Sequence, residues 1–441
     1  MDNLLAARSQ MAMSLAFHIV FAGIGIGLPL LMVIAEALWL RTRQEVYLTL
    51  AKRWANGAAI LFAVGAVSGT VLSFELGLLW PAFMKYAGAI IGMPFSLEGF
   101  AFFAEAIFLG IYLYGWQRVP PAAHLGAGIV VAVSGAISGL FVVAANAWMN
   151  TPTGFTLQNG VPVNIDPIAA MLNPSWFAES LHMTIAAYLA TAAAAAGIHA
   201  WALRRDPRSL FHRKALGIAL AVLLPAALIQ PLSGDISARL VARTQPAKLA
   251  GMEGQFVTER CAPLRIGGLP DPQAGVTRYA VEIPCGLSLL ATHDPNAEIK
   301  GLLDFPADER PPTQVIHPAF QIMVGCGLAL MGLGLWAAFL AWRRKRVPDR
   351  GPILLALMLA SPLGFLAIEA GWVVTEVGRQ PWVVYGFMRT ADAVSPVPGL
   401  VVPFVTFTLL YIFLAVVVAV LLRQQVALGE RGPTPEAVHA A

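Results

Sequence analysis

Long apolar runs alternate with short polar breaks along the whole chain. Nine runs reach the length of about 20 residues that an α-helix needs to cross a bilayer: 11–40, 54–80, 94–117, 123–148, 176–203, 216–233, 316–342, 352–376 and 399–422. Backbone in lipid must satisfy its own hydrogen bonds, so the pattern predicts an all-α, polytopic membrane protein with nine transmembrane helices. Only 234–315 is too long and too polar to be a simple connection. The predicted organisation is therefore helices one to six over 1–233, an outer segment over 234–315, and helices seven to nine with a cytoplasmic tail over 316–441. No internal repeat is evident.

Composition supports this class. Of 441 residues, 58% are hydrophobic and 12% charged, about half the charge of a soluble domain. The net charge of +4 comes from Lys and Arg in the breaks, not from a nucleic-acid surface. Those residues also set the orientation. Connections after runs one, three, five and seven carry Arg41, Arg43, Lys52, Arg53, Arg118, Arg204, Arg205, Arg208, Arg213, Lys214, Arg343, Arg344, Lys345, Arg346 and Arg350. The short connections on the other side carry Lys85, Arg379 and Arg389. The positive-inside rule puts the first set in the cytoplasm, with the N-terminus and 234–315 outside and the C-terminus inside. The opening Met1-Asp2-Asn3 and the long first run do not read as a cleavable signal. Cys261 and Cys285 then face an oxidising compartment, where a disulfide and two free thiols are both open.

Ionisable and ligating side chains inside the apolar runs carry the chemistry. Glu369 lies in Ile368-Glu369-Ala370-Gly371-Trp372. An acid at such a position costs several kcal/mol or more unless it has a partner or a task; a helix-end Glu reaching headgroups is the plainer alternative. His18, His182 and Met323 sit about seven residues in from the outer ends of their runs, as does Glu369, and Glu98 sits near the outer start of the third. One such His is more often a hydrogen-bonding helix residue, but five candidate ligands on five helices at one level are hard to explain as packing. Imidazole and thioether are axial haem ligands, and a His/Met pair makes a six-coordinate, electron-transferring iron. Zinc is disfavoured, since there is neither His-Glu-x-x-His nor a Cys cluster. His124, His199 and His212 read as interfacial residues, and His293 and His317 as part of the outer segment and its border. Glu98 and Glu105 are two helical turns apart and share a face; Ser138 and Asn146 are eight apart on the fourth run. Such a column suits proton transfer, although Ser138 and Asn146 alone also suit interhelical bonding.

In this order, these residues resemble subunit I of the cytochrome bd quinol oxidases over essentially the whole chain. The similarity is carried by Ile368-Glu369-Ala370-Gly371-Trp372, Gly378-Arg379-Gln380-Pro381-Trp382, Glu98-Gly99-Phe100 with Glu105, and Phe320-Gln321-Ile322-Met323. It implies a nine-helix subunit of the bacterial cytoplasmic membrane that oxidises quinol outside and reduces O2 to water with cytoplasmic protons. It also implies two b-type haems and one d-type haem, a second subunit, and in some relatives a small single-helix subunit. By position, His182 and Met323 resemble the axial pair of the low-spin haem. His18 and Glu369 resemble ligands of the two high-spin haems, with Glu98 beside them; which iron each takes stays open. Trp372 belongs to the same cofactor-binding motif, and Arg8 and Arg379 resemble propionate partners. Lys248-Leu249-Ala250-Gly251-Met252-Glu253 resembles the quinol-binding part of the outer loop, with Lys248 holding a quinol oxygen and Glu253 taking its proton. Glu105, Ser138 and Asn146 resemble proton-path residues. The chain departs from the pattern at Gln321, where Arg is common, and at Phe365, where Trp is common. Its outer loop is of the short type, and some short-loop relatives are cyanide-insensitive, so a b-type haem in the third place is the alternative. Two other classes compete: a proton-coupled transporter, which inverted repeats or broken helices would favour, and a purely electron-transferring cytochrome b, which would need several His/His pairs.

Overall fold

The computed structural model describes residues 1–430. Among them, nine helical segments are long and apolar enough to cross a membrane. The helices are α1 (Asn3–Thr42), α2 (Glu45–Leu79), α3 (Pro81–Tyr114), α4 (Pro121–Asn150), α5 (Trp176–Arg205), α6 (Leu210–Thr244), α7 (Pro246–Glu253), α8 (Thr313–Arg344), α9 (Pro352–Ala360), α10 (Leu363–Gly378) and α11 (Val401–Glu430). α7 is the one short helix of this series outside the bundle, and α9 with α10 makes a single span. The expected tail after α11 lies outside the described residues.

α1 and α2 begin at Asn3 and Glu45, ahead of the expected 11 and 54, and three further boundaries differ for a physical reason. α3 begins at Pro81, not at 94. Lys85, expected in a connection, is exposed on the helix, and Pro94 is carried inside it, as membrane helices tolerate. α6 runs on to Thr244, past 233. Its polar last turns are supported by Arg239 donating to Asp235 at 2.5 Å, an i,i+4 pair. The eighth span breaks at Ser361-Pro362 between α9 and α10, where proline has no N–H to continue the ladder.

Small residues let the helices approach. A Cβ on Gly27 of α1 would strike Thr191 of α5, and one on Gly364 of α10 would strike the backbone of Ala190 of α5. α5 can be shared in this way because Ala192–Gly197 is almost all alanine; close packing replaces the missing hydrophobic drive between helices in lipid. The largest buried cluster lies here, with Leu31, Met32, Leu203, Leu216 and Leu223.

Residues 245–312 form a cap on the side of the bundle that also holds the N-terminus, called the loop side below. α7 is buried along its length. Behind it, short antiparallel pairs join Glu259–Arg260 to Glu298–Ile299 and Leu264–Ile266 to Val281–Ile283. Cys261 and Cys285 are disulfide-bonded, next to a small core of Leu249, Ala262, Leu287 and Ile299. His317 and Gln321 of α8 pin the cap down. His317 faces the carbonyls of Met252 at 2.7 Å and Gly267 at 2.9 Å, and Gln321 donates to the carbonyl of Arg265 and accepts from the N–H of Gly267, both at 3.0 Å. Gln321 thus holds loop backbone where an Arg is common in the resembling family.

Candidate functional site

Two histidines have the same local design on different helix pairs. His18 of α1 places Nδ1 2.9 Å from Ser68 Oγ of α2, and His182 of α5 places Nδ1 3.0 Å from Ser233 Oγ of α6. Each serine already donates its one proton to a carbonyl, Ser68 to Val64 at 2.9 Å and Ser233 to Gln230 at 2.8 Å. The serine oxygen therefore accepts, Nδ1 carries the proton, and Nε2 keeps its lone pair for a metal. A glycine follows each serine. A Cβ on Gly69 would lie 3.0 Å from the His18 ring, and one on Gly234 3.4 Å from the His182 ring. Gln230 also sets its amide 3.2 Å from both ring nitrogens of His182.

The helix contacts fix the depths of these groups. α1 meets α5 at Gly27 and Thr191, and His18 and His182 each stand nine residues nearer the loop side. α1 meets α10 at Gly23 and Phe365; His18 is five residues from that contact and Glu369 four. α5 meets α10 at Ala190 and Gly364; His182 is eight residues away and Gly371 seven. A Cβ on Gly371 would lie 2.9 Å from Met323 Sδ of α8. His18, His182, Met323 and Glu369 therefore lie at similar depth, within about three residues, roughly 4.5 Å. Trp372 follows Gly371, half-buried.

Glu98 does not belong to that level. A Cβ on Gly139 of α4 would lie 2.9 Å from Ile26, which is eight residues, roughly 12 Å, deeper than His18. The neighbouring Ser138 donates to Glu98 at 3.2 Å. The earlier start of α3 explains the shift: Glu98 is well inside the helix, not near its outer end. Glu105 lies deeper still and is buried, with its carboxyl 3.3 Å from where a Cβ on Gly135 would be. Glu98 and Glu105 do share a face, against α4. Ser138 belongs to this acid column. Asn146 does not: it donates to Glu376 of α10 at 2.5 Å.

Asn146 instead joins a dense polar cluster beneath the cap. Asn150 is its centre. Its Oδ1 accepts from Lys248 at 3.4 Å, Arg379 at 3.3 Å and Gln245 at 3.2 Å, and its Nδ2 donates to Glu179 at 3.0 Å. Arg379 is fully buried and donates to Glu376 at 2.5 Å. Arg8, by contrast, is exposed. Lys248 also donates to the carbonyl of Thr375 at 3.1 Å, its stem crossing Gly378, where a Cβ would be 3.1 Å away. Burial holds the Lys248 ammonium below the usual lysine range. A cleft opens on this cluster between Lys248, Arg379, Phe305, Glu309, Trp382 and Tyr385. Glu253 lies elsewhere. It is five residues on along α7, roughly 140° round the helix, near Arg265; burial pushes its carboxyl up to about 7 against that guanidinium.

Three histidines read as interfacial do lie near helix ends, and two of them are bonded inside the bundle. His124 is buried, bonded to Glu36 Oε1 at 2.8 Å and the Tyr112 carbonyl at 2.9 Å. His199 is also buried and meets His212 at 2.9 Å. Glu36, Glu75, Glu179 and Glu376 were missed outright. The first two were findable, since each is an acid inside an apolar run, as Glu369 is.

Comparison with known proteins decides the family. Residues 6–430 match the family described as "Cytochrome bd terminal oxidase subunit I". The chain belongs to that family. It is 39% identical to the putative cytochrome bd menaquinol oxidase subunit I of Bacillus subtilis, over 96% of each chain. It is 28% identical to the cytochrome bd-II ubiquinol oxidase subunit 1 of Escherichia coli, over 89% of this chain and 90% of the other. The solved bd oxidase structure from Geobacillus thermodenitrificans superposes with a TM-score of 0.92 at 40% identity, covering 98% of this chain and 99% of that one. This bd subunit I is thus part of a haem-containing quinol:oxygen oxidoreductase, a multi-pass protein of a bacterial cytoplasmic membrane that works in complex with other subunits.

The donors fit haem. Among the described residues no three His, Cys, Asp or Glu side chains cluster as a metal cage would need. His18, His182, Met323 and Glu369 stand singly, both histidines with an unprotonated Nε2, which in His182 the Gln230 amide meets at 3.2 Å, and Glu369 with Oε1 buried and unbonded. Single axial donors suit an iron whose equatorial ligands come from a porphyrin.

Proposed function

We propose that His182 and Met323 hold a low-spin b haem and that His18 and Glu369 hold two high-spin haems, one b-type and one d-type, with a second b-type as the alternative. The observation that carries this reading is the similar depth of the four donors, with Met323 Sδ against α10 at Gly371, seven residues from the contact with α5 from which His182 is eight. When bound, the haems supply one-electron carriers and the iron at which O2 becomes water. The chain's own groups do the rest. Lys248 holds a quinol oxygen in the cleft walled by Phe305, Trp382 and Tyr385. Arg379 offers a propionate a charged donor. Glu253 takes a quinol proton on the other face of α7. The relatives' names include both menaquinol and ubiquinol, so the shared substrate class is a quinol. Basic connections put the cap outside, so protons for water come from the cytoplasmic half through Glu105, then Glu98 with Ser138. A second subunit, and a small single-helix one, complete the complex.

In Met323→Leu the low-spin b band should vanish from the reduced-minus-oxidised spectrum while the high-spin bands remain. A low-spin band of wild-type intensity refutes the axial pair. Lys248→Ala should raise the KM for quinol severalfold and leave oxidation of pre-reduced enzyme by O2 intact.

A further inference from the structure

A second polar seam descends to His18, between α1 and α2. On α1, Gln10, Ser14 and His18 recur every four residues; on α2, Ser68 and Glu75 are seven apart. Both spacings keep one helix face, and the two faces bond to each other. Glu75 Oε1 accepts from Gln10 Nε2 at 2.9 Å and from Ser14 Oγ at 2.8 Å, while Ser68 Oγ accepts from His18 Nδ1 two turns below. Gln10, Ser14, Ser68 and Glu75 are all at 0% exposure. Tyr411 of α11 closes the seam, its ring 4.7 Å from Phe17 and its hydroxyl beside Ser14 and Glu75.

The bonding is one-sided. Both donors serve Oε1, and Oε2 has no partner; nor has Gln10 Oε1. No Arg, Lys or His pairs with Glu75 among the described residues; Arg8 of α1 and Lys85 of α3 are exposed. A carboxylate left like this is costly in low dielectric. A proton on Oε2 removes the charge while Oε1 keeps both hydrogen bonds.

We propose that Glu75 is the charge-compensating proton site of the centre that His18 holds. An electron arriving from quinol adds one negative charge to that centre. One proton from water at the loop end of the seam then bonds to Glu75 Oε2, and it returns when the electron leaves. Nothing is consumed over the cycle. Gln10 and Ser14 are positioning residues that keep Oε1 occupied and Oε2 the atom that titrates. The inference rests on His18 being a haem ligand.

The test uses the purified whole oxidase. His18→Ala first identifies the haem signal that depends on His18, as the band that disappears. If no band disappears, the His18 reading fails, and the role of Glu75 beside it fails with it. The midpoint potential of that band is then titrated between about pH 6 and pH 9. In wild type it should fall with pH towards 59 mV per unit over part of the range, the value for one proton per electron. In Glu75→Gln the slope should drop below half. The redox-difference infrared spectrum should also lose one carboxylic-acid C=O band. An unchanged slope, or an unchanged carboxylic band, overturns the proposal while leaving His18 as ligand. Should Glu75→Gln fail to assemble, Ser14→Ala decides. Removing one donor from Oε1 should move the bend in the potential–pH curve to higher pH, and an unmoved bend refutes the role.

Discussion

The polar cluster under the cap and the acid column between α3 and α4 are built from the same kinds of residue in opposite ways. Under the cap, Glu179, Lys248, Glu376 and Arg379 are tied through Asn150 and Asn146, and each charge has at least one charged or amide partner. In the column, Glu98 has one serine, and Glu105 has no hydrogen-bond partner among the described residues, with glycine opposite it. Fully paired charges hold a geometry and change protonation only at high cost. Acids with weak or absent partners cost stability as ions, so they stay neutral until a nearby charge changes and can then move a proton. The first arrangement suits anchoring a cofactor and a quinol; the second suits transport.

The largest expected effect comes from breaking the first. Asn150→Ala removes the acceptor shared by Lys248, Arg379 and Gln245 and the donor to Glu179. The charges left short of partners should cost about 3 kcal/mol. Melting of the purified oxidase should shift down, with quinol turnover lost in step. Wild-type melting would mean that the cluster does not hold the cap. Glu105→Gln should do the reverse. The amide keeps the size and hydrogen bonding but cannot titrate. O2 reduction in oriented liposomes should slow by at least about tenfold, roughly 1.4 kcal/mol of barrier, and lose its voltage-generating phase, with melting and haem spectra unchanged. Full voltage generation would remove Glu105 from the path.

The contrast shows what a sequence makes legible. Nine spans and their order follow from apolar length alone, because lipid imposes that length on every helix. The acid column was visible because the seven-residue spacing of Glu98 and Glu105 is a property of one helix. The grouping of His18, His182, Met323 and Glu369 towards the loop side was also visible, although α1 begins at Asn3 and His18 is fifteen residues in from that end, not seven. Counting failed for Glu98 because Pro94, inside α3, passed for the start of a helix. The cluster under the cap was mostly hidden. Its members come from α4, α5, α7 and α10, and Asn150 and Glu179 lie at helix ends, where a polar residue looks ordinary. Asn146 and Ser138 looked like neighbours on one face, yet α10 claims one and α3 the other. The serines behind His18 and His182 were missed for the same reason, each being on a different helix from its histidine.

Glu253 offers an intermediate case, since it is buried like Glu105 but outside the bundle. Its carboxyl sits at about 7, and only the carboxylate can accept a quinol proton. The ionised fraction rises with pH, so kcat/KM for quinol should climb below about pH 7 and level off above it. Glu253→Gln should abolish that limb. The sign for stability is opposite. The folded pKa lies above the unfolded value of about 4.3, so the stabilisation is fully present below that value and is lost as pH rises through about 7. Proteolysis of the cap should therefore be faster at pH 8 than at pH 6 in wild type. A pH-independent kcat/KM would rule out Glu253 as the acceptor.

The smallest change separates the two designs most finely. Gly135→Ala adds one methyl carbon 3.3 Å from the carboxyl carbon and both oxygens of Glu105. That is tighter than ordinary contact, so the carboxyl must turn or move by a few tenths of an ångström. Alanine is the better helix former by up to about 1 kcal/mol, which offsets the crowding, and melting should stay within about 1 kcal/mol of wild type. Proton transfer depends steeply on reach and alignment, so turnover and the voltage phase should still slow by about two- to fivefold. Gly128→Ala is the control on the same helix. Its Cβ would lie 2.6 Å from the Tyr112 ring, not from an acid. It should lower melting through overpacking, by about 1–3 kcal/mol, and leave the voltage generated per turnover unchanged. If the two variants behave alike, Glu105 fills space in the bundle and does not relay protons.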